Sequence, residues 1–207
     1  TDACQSYTKV AIDVNKQNLD FVTLNSHKIH GPKGVGALFI RKGIEITPLL
    51  HGGGHEFNLR STTENVPGVV GFAKAVKLTS NSNVKQMIKI QDKLIEGILK
   101  IPNSNLNGPT GDKRLCNNIN VRFNNIEGEA IGGYFDSYGI SSSTGSACSS
   151  HSLEPSHVLK AIGLDHMKSN TSVRLSISKF TTEEEINYVL EVLPKIVERL
   201  RKMSPIK

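Results

Sequence analysis

The stretch TTEEEINYVLEVLPKIVERLRKM, residues 181–203, limits the possible folds more than any other part of the chain. Ile186, Val189, Leu190, Leu193, Val197 and Leu200 recur every three or four positions, the spacing of one helix face. Thr182 and Glu185 form a capping box, and three acids occupy the first turn, where the positive end of the helix dipole favours them. Pro194 is expected to kink the helix. A helix with one apolar stripe must bury it against another layer, so a packed domain is required. A second such helix follows the polar break TSNSN, with Val84, Met87, Ile88, Leu94, Ile95 and Ile98 at helical spacing.

Between these helices, NGPTGDK reads as a turn and CNNINVRF as a strand with alternating faces. EGEAIGGYFDSYG reads as a short helix stopping at Gly139, EPSHVLKAIG as a helix ending at glycine, and SVRLSI as a strand. ISSSTGSACSSHSLEPS is almost all small and hydroxylated, which points to a mobile loop. Before the break, LDFVTL and GALFI are expected as short buried strands. TENVPGVVGFAKAVKL is expected as a helix capped by Asn65, with Pro67 near its first position. Strands with crossover helices there point to part of an α/β sheet, and the pattern beyond is α+β. The boundary is placed at the break, giving domains 1–80 and 81–207.

The chain has 207 residues, 37% of them hydrophobic, with a formal charge of +6. No apolar run approaches the roughly 18 residues of a membrane helix, and TDACQSYTKV lacks the pattern of a signal peptide. A soluble, cytoplasmic protein is expected, with no membrane partner. Lysines and arginines are scattered and aromatic residues few, which argues against direct nucleic-acid binding. The three cysteines, Cys4, Cys116 and Cys148, share no CxxC spacing, so reduced thiols fit better than disulfides or structural zinc.

Lys28, in LNSHKIHGPKGVGALFI, follows an apolar run and precedes a Gly-Pro turn. It is a solvated charge, a phosphate ligand, or an amine held for covalent chemistry, and a partly desolvated amine would suit the last role. GPKGVG lacks P-loop spacing. Cys148 sits among small polar residues where burial is implausible, and is read as a nucleophile. His51 and His55 in HGGGHE are four apart, but the glycines between them argue against a helix, so no metal site is expected. The chain begins TDACQ, with an acid close to the first residue, and reads as the later half of something larger.

TDACQ, SHKIHGPKGVGALFI, HGGGHEFNLRSTTENVPG, STGSACSSHSLEPSHVL and SVRLSISKFTTEEEI together, in unbroken order, resemble the NifS/IscS-type cysteine desulfurases. The resemblance implies the C-terminal part of a large domain of a pyridoxal-phosphate (PLP) transferase of fold type I, plus a small α+β C-terminal domain. It also implies that Lys28 holds pyridoxal 5'-phosphate as a Schiff base and moves protons at the substrate Cα. Asp2 would pair with the ring nitrogen, Gln5 would hydrogen-bond the ring hydroxyl, and His27 would bind the phosphate. Thr63 would reach the phosphate of a neighbouring subunit, implying a homodimer. Arg174 would clamp the carboxylate of L-cysteine. Cys148 would take the sulfur as a persulfide and pass it to an acceptor or scaffold protein.

Two positions depart from the family pattern. Asn25 stands where a phosphate-binding serine is usual, and Thr62, where glycine is usual, is expected to crowd the turn before Thr63. The family's N-terminal half has no counterpart here, so poor solubility or obligate association with that half is expected. A non-catalytic sulfur-relay module is the alternative reading, and a changed amino-acid substrate a third.

Overall fold

A computed structural model describes residues 1–144 and 155–205, arranged in two compact units, Thr1–Asn81 and Ser82–Lys207. Cys148 and most of the small-residue loop lie outside the described residues.

In the first unit, β1 (Phe21–Asn25) and β2 (Gly36–Ile40) form an antiparallel pair, in register from Phe21 opposite Ile40 to Asn25 opposite Gly36. The TDACQ segment lies along the other edge of β1, where Asp2 makes a parallel bridge with Thr23 and Ala3 N donates to Thr23 O at 3.0 Å. The segment labelled α1 (His55–Asn58) is not a right-handed helix: Glu56, Phe57 and Asn58 all have positive φ, a left-handed turn after three glycines. The helix α2 (Val66–Lys77) starts as its sequence requires. Asn65 Oδ1 accepts from Gly68 N at 3.1 Å, satisfying one of the first-turn donors, and Pro67 sits in that turn. Ile29, Phe72 and Ala75 form a small core with Tyr7, Leu24, Val35 and Val76 around it.

The expectation that both flanking strands are buried is corrected. Only Val22 of β1 is buried, and no residue of β2 is. A two-stranded ribbon with a small core has too little covering surface to bury both faces.

The second unit is a four-stranded antiparallel sheet in the order β3 (Ser104–Leu106), β4 (Asn118–Phe123), β6 (Ser172–Ser176), β5 (Ser143–Thr144). Its helices are α3 (Asn81–Leu99), α4 (Gly128–Ser137), α5 (His157–Ala161), α6 (His166–Asn170) and α7 (Glu183–Met203). Strand alternation divides this sheet into two chemistries. Ile119, Val121, Phe123, Val173 and Leu175 face the core with Leu94, Ile98, Ile131, Phe135, Leu193 and Val197 from the helices. Each such side chain contributes about 1.5–3 kcal/mol on leaving water. Asn118, Asn120, Arg122 and Arg174 alternate with them on the opposite face and are half-buried.

The capping box of α7 is present: Glu185 N donates to Thr182 Oγ1 at 3.2 Å and Thr182 N to Glu185 Oε2 at 2.8 Å. The helix continues through Pro194. On α3 the buried stripe is Met87, Ile90, Gln91, Leu94 and Ile98, so the inclusion of Ile88 is corrected, since it points outward. Gln91 is tolerated inside because its Nε2 donates to Leu115 O at 2.8 Å and Asn118 O at 2.9 Å. The sequence reading of a loop from Ile140 onward is corrected at Ser143–Thr144, which pair with Arg174 and Val173 of β6. Among the described residues no helix is long and apolar enough to cross a membrane.

Candidate active site

Lys28 lies in a single 3-10 turn, His27–Ile29, that follows β1 directly. The turn closes on one carbonyl: Ser26 O accepts from Ile29 N at 3.1 Å and from Gly31 N at 3.0 Å. His30 adopts a left-handed φ of 66°, which reverses the chain towards β2. Asn25 Oδ1 accepts from Lys28 N at 3.2 Å, so the side chain at this departure from the family pattern helps close the turn. Ile29 anchors the turn in the core, whereas His27 and Lys28 are exposed. Lys28 is thus a solvent-exposed amine in this unit. A turn with one buried anchor leaves its neighbours facing outward.

Asp2 is placed by the parallel bridge to Thr23. Its carboxylate accepts from Cys4 N at 2.9 Å and from Thr23 Oγ1 at 3.3 Å. Hydrogen bonds from Cys4, and then from Thr23, hold the Asp2 carboxyl below its ordinary range and keep it ionised. The Cys4 thiol moves the other way, pushed up first by burial and then by Asp2, so it is a poor nucleophile. Gln5 is exposed one step further along, its carbonyl accepting from Lys9 Nζ at 2.9 Å. Asp2, Gln5, His27 and Lys28 thus belong to one edge and one end of a single ribbon.

Thr63 is exposed in the segment leading to α2. Thr62 is not among the residues with positive φ, so its branched side chain meets no backbone strain there. Its hydroxyl accepts from Arg60 Nη1 at 2.6 Å.

In the second unit Arg174 stands in β6 opposite Asn120 of β4 and Ser143 of β5. It lines a concave pocket of about 340 Å³ on the polar face of the sheet, with Asn107, Lys113, Arg114, Asn120 and His157. Among the described residues, no aspartate or glutamate lines that pocket. Arg174 Nε is buried and has no hydrogen-bond partner among the described residues. Burial holds the Arg114 guanidinium below its ordinary pKa, but it remains a cation. A buried guanidinium N–H without a partner, in a pocket where no described residue supplies a carboxylate, suits an anion. The sequence reading missed Asn107 and Arg114. The available signal was the run Asn118, Asn120 and Arg122 alternating with apolar residues, which marks one face of β4 as polar and partly covered.

Residues 1–189 match the family model for aminotransferase class-V. The chain belongs to the aminotransferase class-V family. Over its whole length it is 51% identical to the cysteine desulfurase IscS of Methanosarcina thermophila, of which it covers 52%. A solved NifS-like protein superposes with a TM-score of 0.85 at 37% identity, covering 96% of this chain and 52% of that one. SspA, solved in complex with cysteine, matches with a TM-score of 0.68 at 35% identity over 88% of this chain and 50% of its own. The chain therefore spans about half the length of the aminotransferase class-V relatives it matches. The family resemblance and the mixed α/β fold class expected from the sequence are both borne out.

Proposed function

We propose that this chain carries the cofactor-anchoring and sulfur-accepting part of a cysteine desulfurase, which takes sulfur from L-cysteine and leaves L-alanine. The observation that carries this reading is the edge of β1: an ionised Asp2 carboxylate beside the strand that runs directly into the Lys28 turn. Pyridoxal 5'-phosphate suits that edge, since its protonated ring nitrogen needs a fixed anion and its aldehyde needs a primary amine. The exposed Lys28 amine and the hydrogen-bonded Asp2 supply both. When bound, the group supplies an electron sink for bond cleavage at the substrate Cα and Cβ.

The protein's own residues would then divide the work. Asp2 would keep a proton on the ring nitrogen, Gln5 would orient the ring hydroxyl, and His27 would bind the phosphate with Thr63 of a neighbouring subunit. Lys28 would anchor the cofactor and move a proton at the substrate Cα. Arg174 would hold the substrate carboxylate in a paired hydrogen bond. The Cys148 thiolate would attack the substrate sulfur: a sulfur–sulfur bond forms and the Cβ–S bond breaks. The electron pair stays with the carbon skeleton, which gains a proton and leaves as alanine. The Cys148 persulfide would pass its sulfur to an acceptor protein serving iron–sulfur cluster assembly or thio-modification. A homodimer, or association with an N-terminal half, would complete the site.

Mixing the 207-residue chain with pyridoxal phosphate tests the reading. An absorbance band of the lysine-bound cofactor that is lost in Lys28→Ala supports it. Absence of the band in the chain, and again after reconstitution with an N-terminal half, would favour the non-catalytic sulfur-relay reading. With the reconstituted enzyme, Cys148→Ser should abolish sulfide release from L-cysteine. Undiminished release would exclude the persulfide route.

A further inference from the structure

The unpaired state of Arg174 Nε calls for a cause, because two acceptors stand beside it on the same face of the sheet. Asn120 is its cross-strand neighbour, and Ser172 lies two residues before it on β6. Both already accept a hydrogen bond from one side chain. Asn107, buried at 3% exposure, donates through Nδ2 to Asn120 Oδ1 at 2.6 Å and to Ser172 Oγ at 2.9 Å. Its orientation is fixed by Arg122, whose Nη1 donates to Asn107 Oδ1 at 2.6 Å. A guanidinium can only donate, so the oxygen of Asn107 must face Arg122 and its NH₂ must face Asn120 and Ser172. The backbone is held as well: Asn107 N donates to Asn120 O at 2.9 Å, and Asn107 O accepts from Arg114 Nη2.

We propose that Asn107 is a positioning residue for Arg174, engaging the two neighbouring acceptors that would otherwise capture the guanidinium and so reserving Nε for a carboxylate ligand. This rests on the reading of Arg174 as the substrate's carboxylate clamp. A free carboxamide oxygen within cross-strand reach of an unpaired buried N–H is a strong competitor for it, since leaving such a donor unmet is costly. With Asn120 Oδ1 already accepting a short bond from Asn107, an anion entering the pocket is the stronger partner for Arg174.

The test follows the Arg174 Nε–Hε signal by NMR in the 207-residue chain, identified by its loss in Arg174→Lys, with acetate as the carboxylate probe. In wild type the signal should move saturably with acetate. In Asn107→Ala the acetate-free signal should shift downfield as Asn120 captures the proton, and acetate affinity should fall about tenfold or more. In Asn107→Ala/Asn120→Ala the competing acceptor is gone, and affinity should return to within about threefold of wild type. A merely structural role predicts the opposite, a double variant no better than the single one, and that result would overturn the proposal. So would an Asn107→Ala protein with unchanged signal and affinity. Should Asn107→Ala not fold, the near-isosteric and uncharged Asn107→Leu lacks the donor and must show the same two effects. If the wild-type signal ignores acetate while the downfield shift and its reversal remain, the positioning role stands and the carboxylate clamp falls.

Discussion

A methyl group added at Gly31 would overlap Ser26 Oγ and lie 3.1 Å from Ala75 Cβ, directly beneath the Lys28 turn. Ser26 is fully buried and its hydroxyl has no partner among the described residues, so it carries a desolvation cost without return. Gly31→Ala should therefore cost about 1–3 kcal/mol in chemical denaturation. Ser26→Ala should be neutral or stabilising by about 1 kcal/mol, and should recover much of the Gly31→Ala loss when the two are combined. Strict additivity would refute the clash. Asp2 sets a pH dependence of definite sign. Its folded pKa is depressed, so its stabilisation is fully present above the ordinary carboxylate value of about 3.9 and is lost as pH falls through the lower folded value. The stability difference between wild type and Asp2→Asn should be constant near neutrality and shrink in strong acid. At this scale the sequence revealed Lys28 through its flanking strands and its turn. It could not reveal that Lys28 is exposed, because exposure depends on how Ile29 seats in a core made by Phe72 and Ala75, more than forty positions away.

Helices with a long periodic stripe were legible because their signal is local. The capping box of α7 and the Asn65 cap of α2 are each set within four residues. Thr182→Ala should cost about 1 kcal/mol by thermal or chemical unfolding. Short elements were not legible: Ser143–Thr144 have no pattern of their own and are strand only because β6 offers an edge. Two helical glycines separate kinds of packing. A Cβ at Gly128 would overlap the Ser172 carbonyl oxygen and stand 3.2 Å from Asn170 O, backbone atoms that cannot yield. At Gly97 the obstacle is the tip of Leu190, with Cδ1 at 2.6 Å, a side chain able to rotate away. Gly128→Ala should destabilise by about 2 kcal/mol or more. Gly97→Ala gains up to about 1 kcal/mol of helix propensity and should stay within about 1 kcal/mol of neutral. Equal effects at the two sites would contradict this account.

The two units hold very different cores. The second packs a continuous apolar cluster from three helices and the sheet, whereas the first buries little beyond Ile29, Phe72, Ala75, Val22 and Ala3. The first also exposes large apolar side chains, with Leu49 and Phe57 each 91% exposed and Val66, Val69 and Val70 outward on α2. Native-state hydrogen exchange should show the first unit opening at lower free energy than the second, and a single common opening energy would refute the difference. The sequence conveyed the helical stripes of the second unit. It did not convey the pocket, whose walls come from Asn107, Asn120 and Arg174, separated by a turn and then by several helices and brought together by strand pairing.

The pleat of β4 and β6 places gripping side chains and filling side chains on opposite surfaces of one thin layer. Inheritance can therefore revise what the open surface holds, one alternate codon at a time, while the interior registers no change. A scaffold wired in this way lets selection experiment with chemistry without wagering the fold.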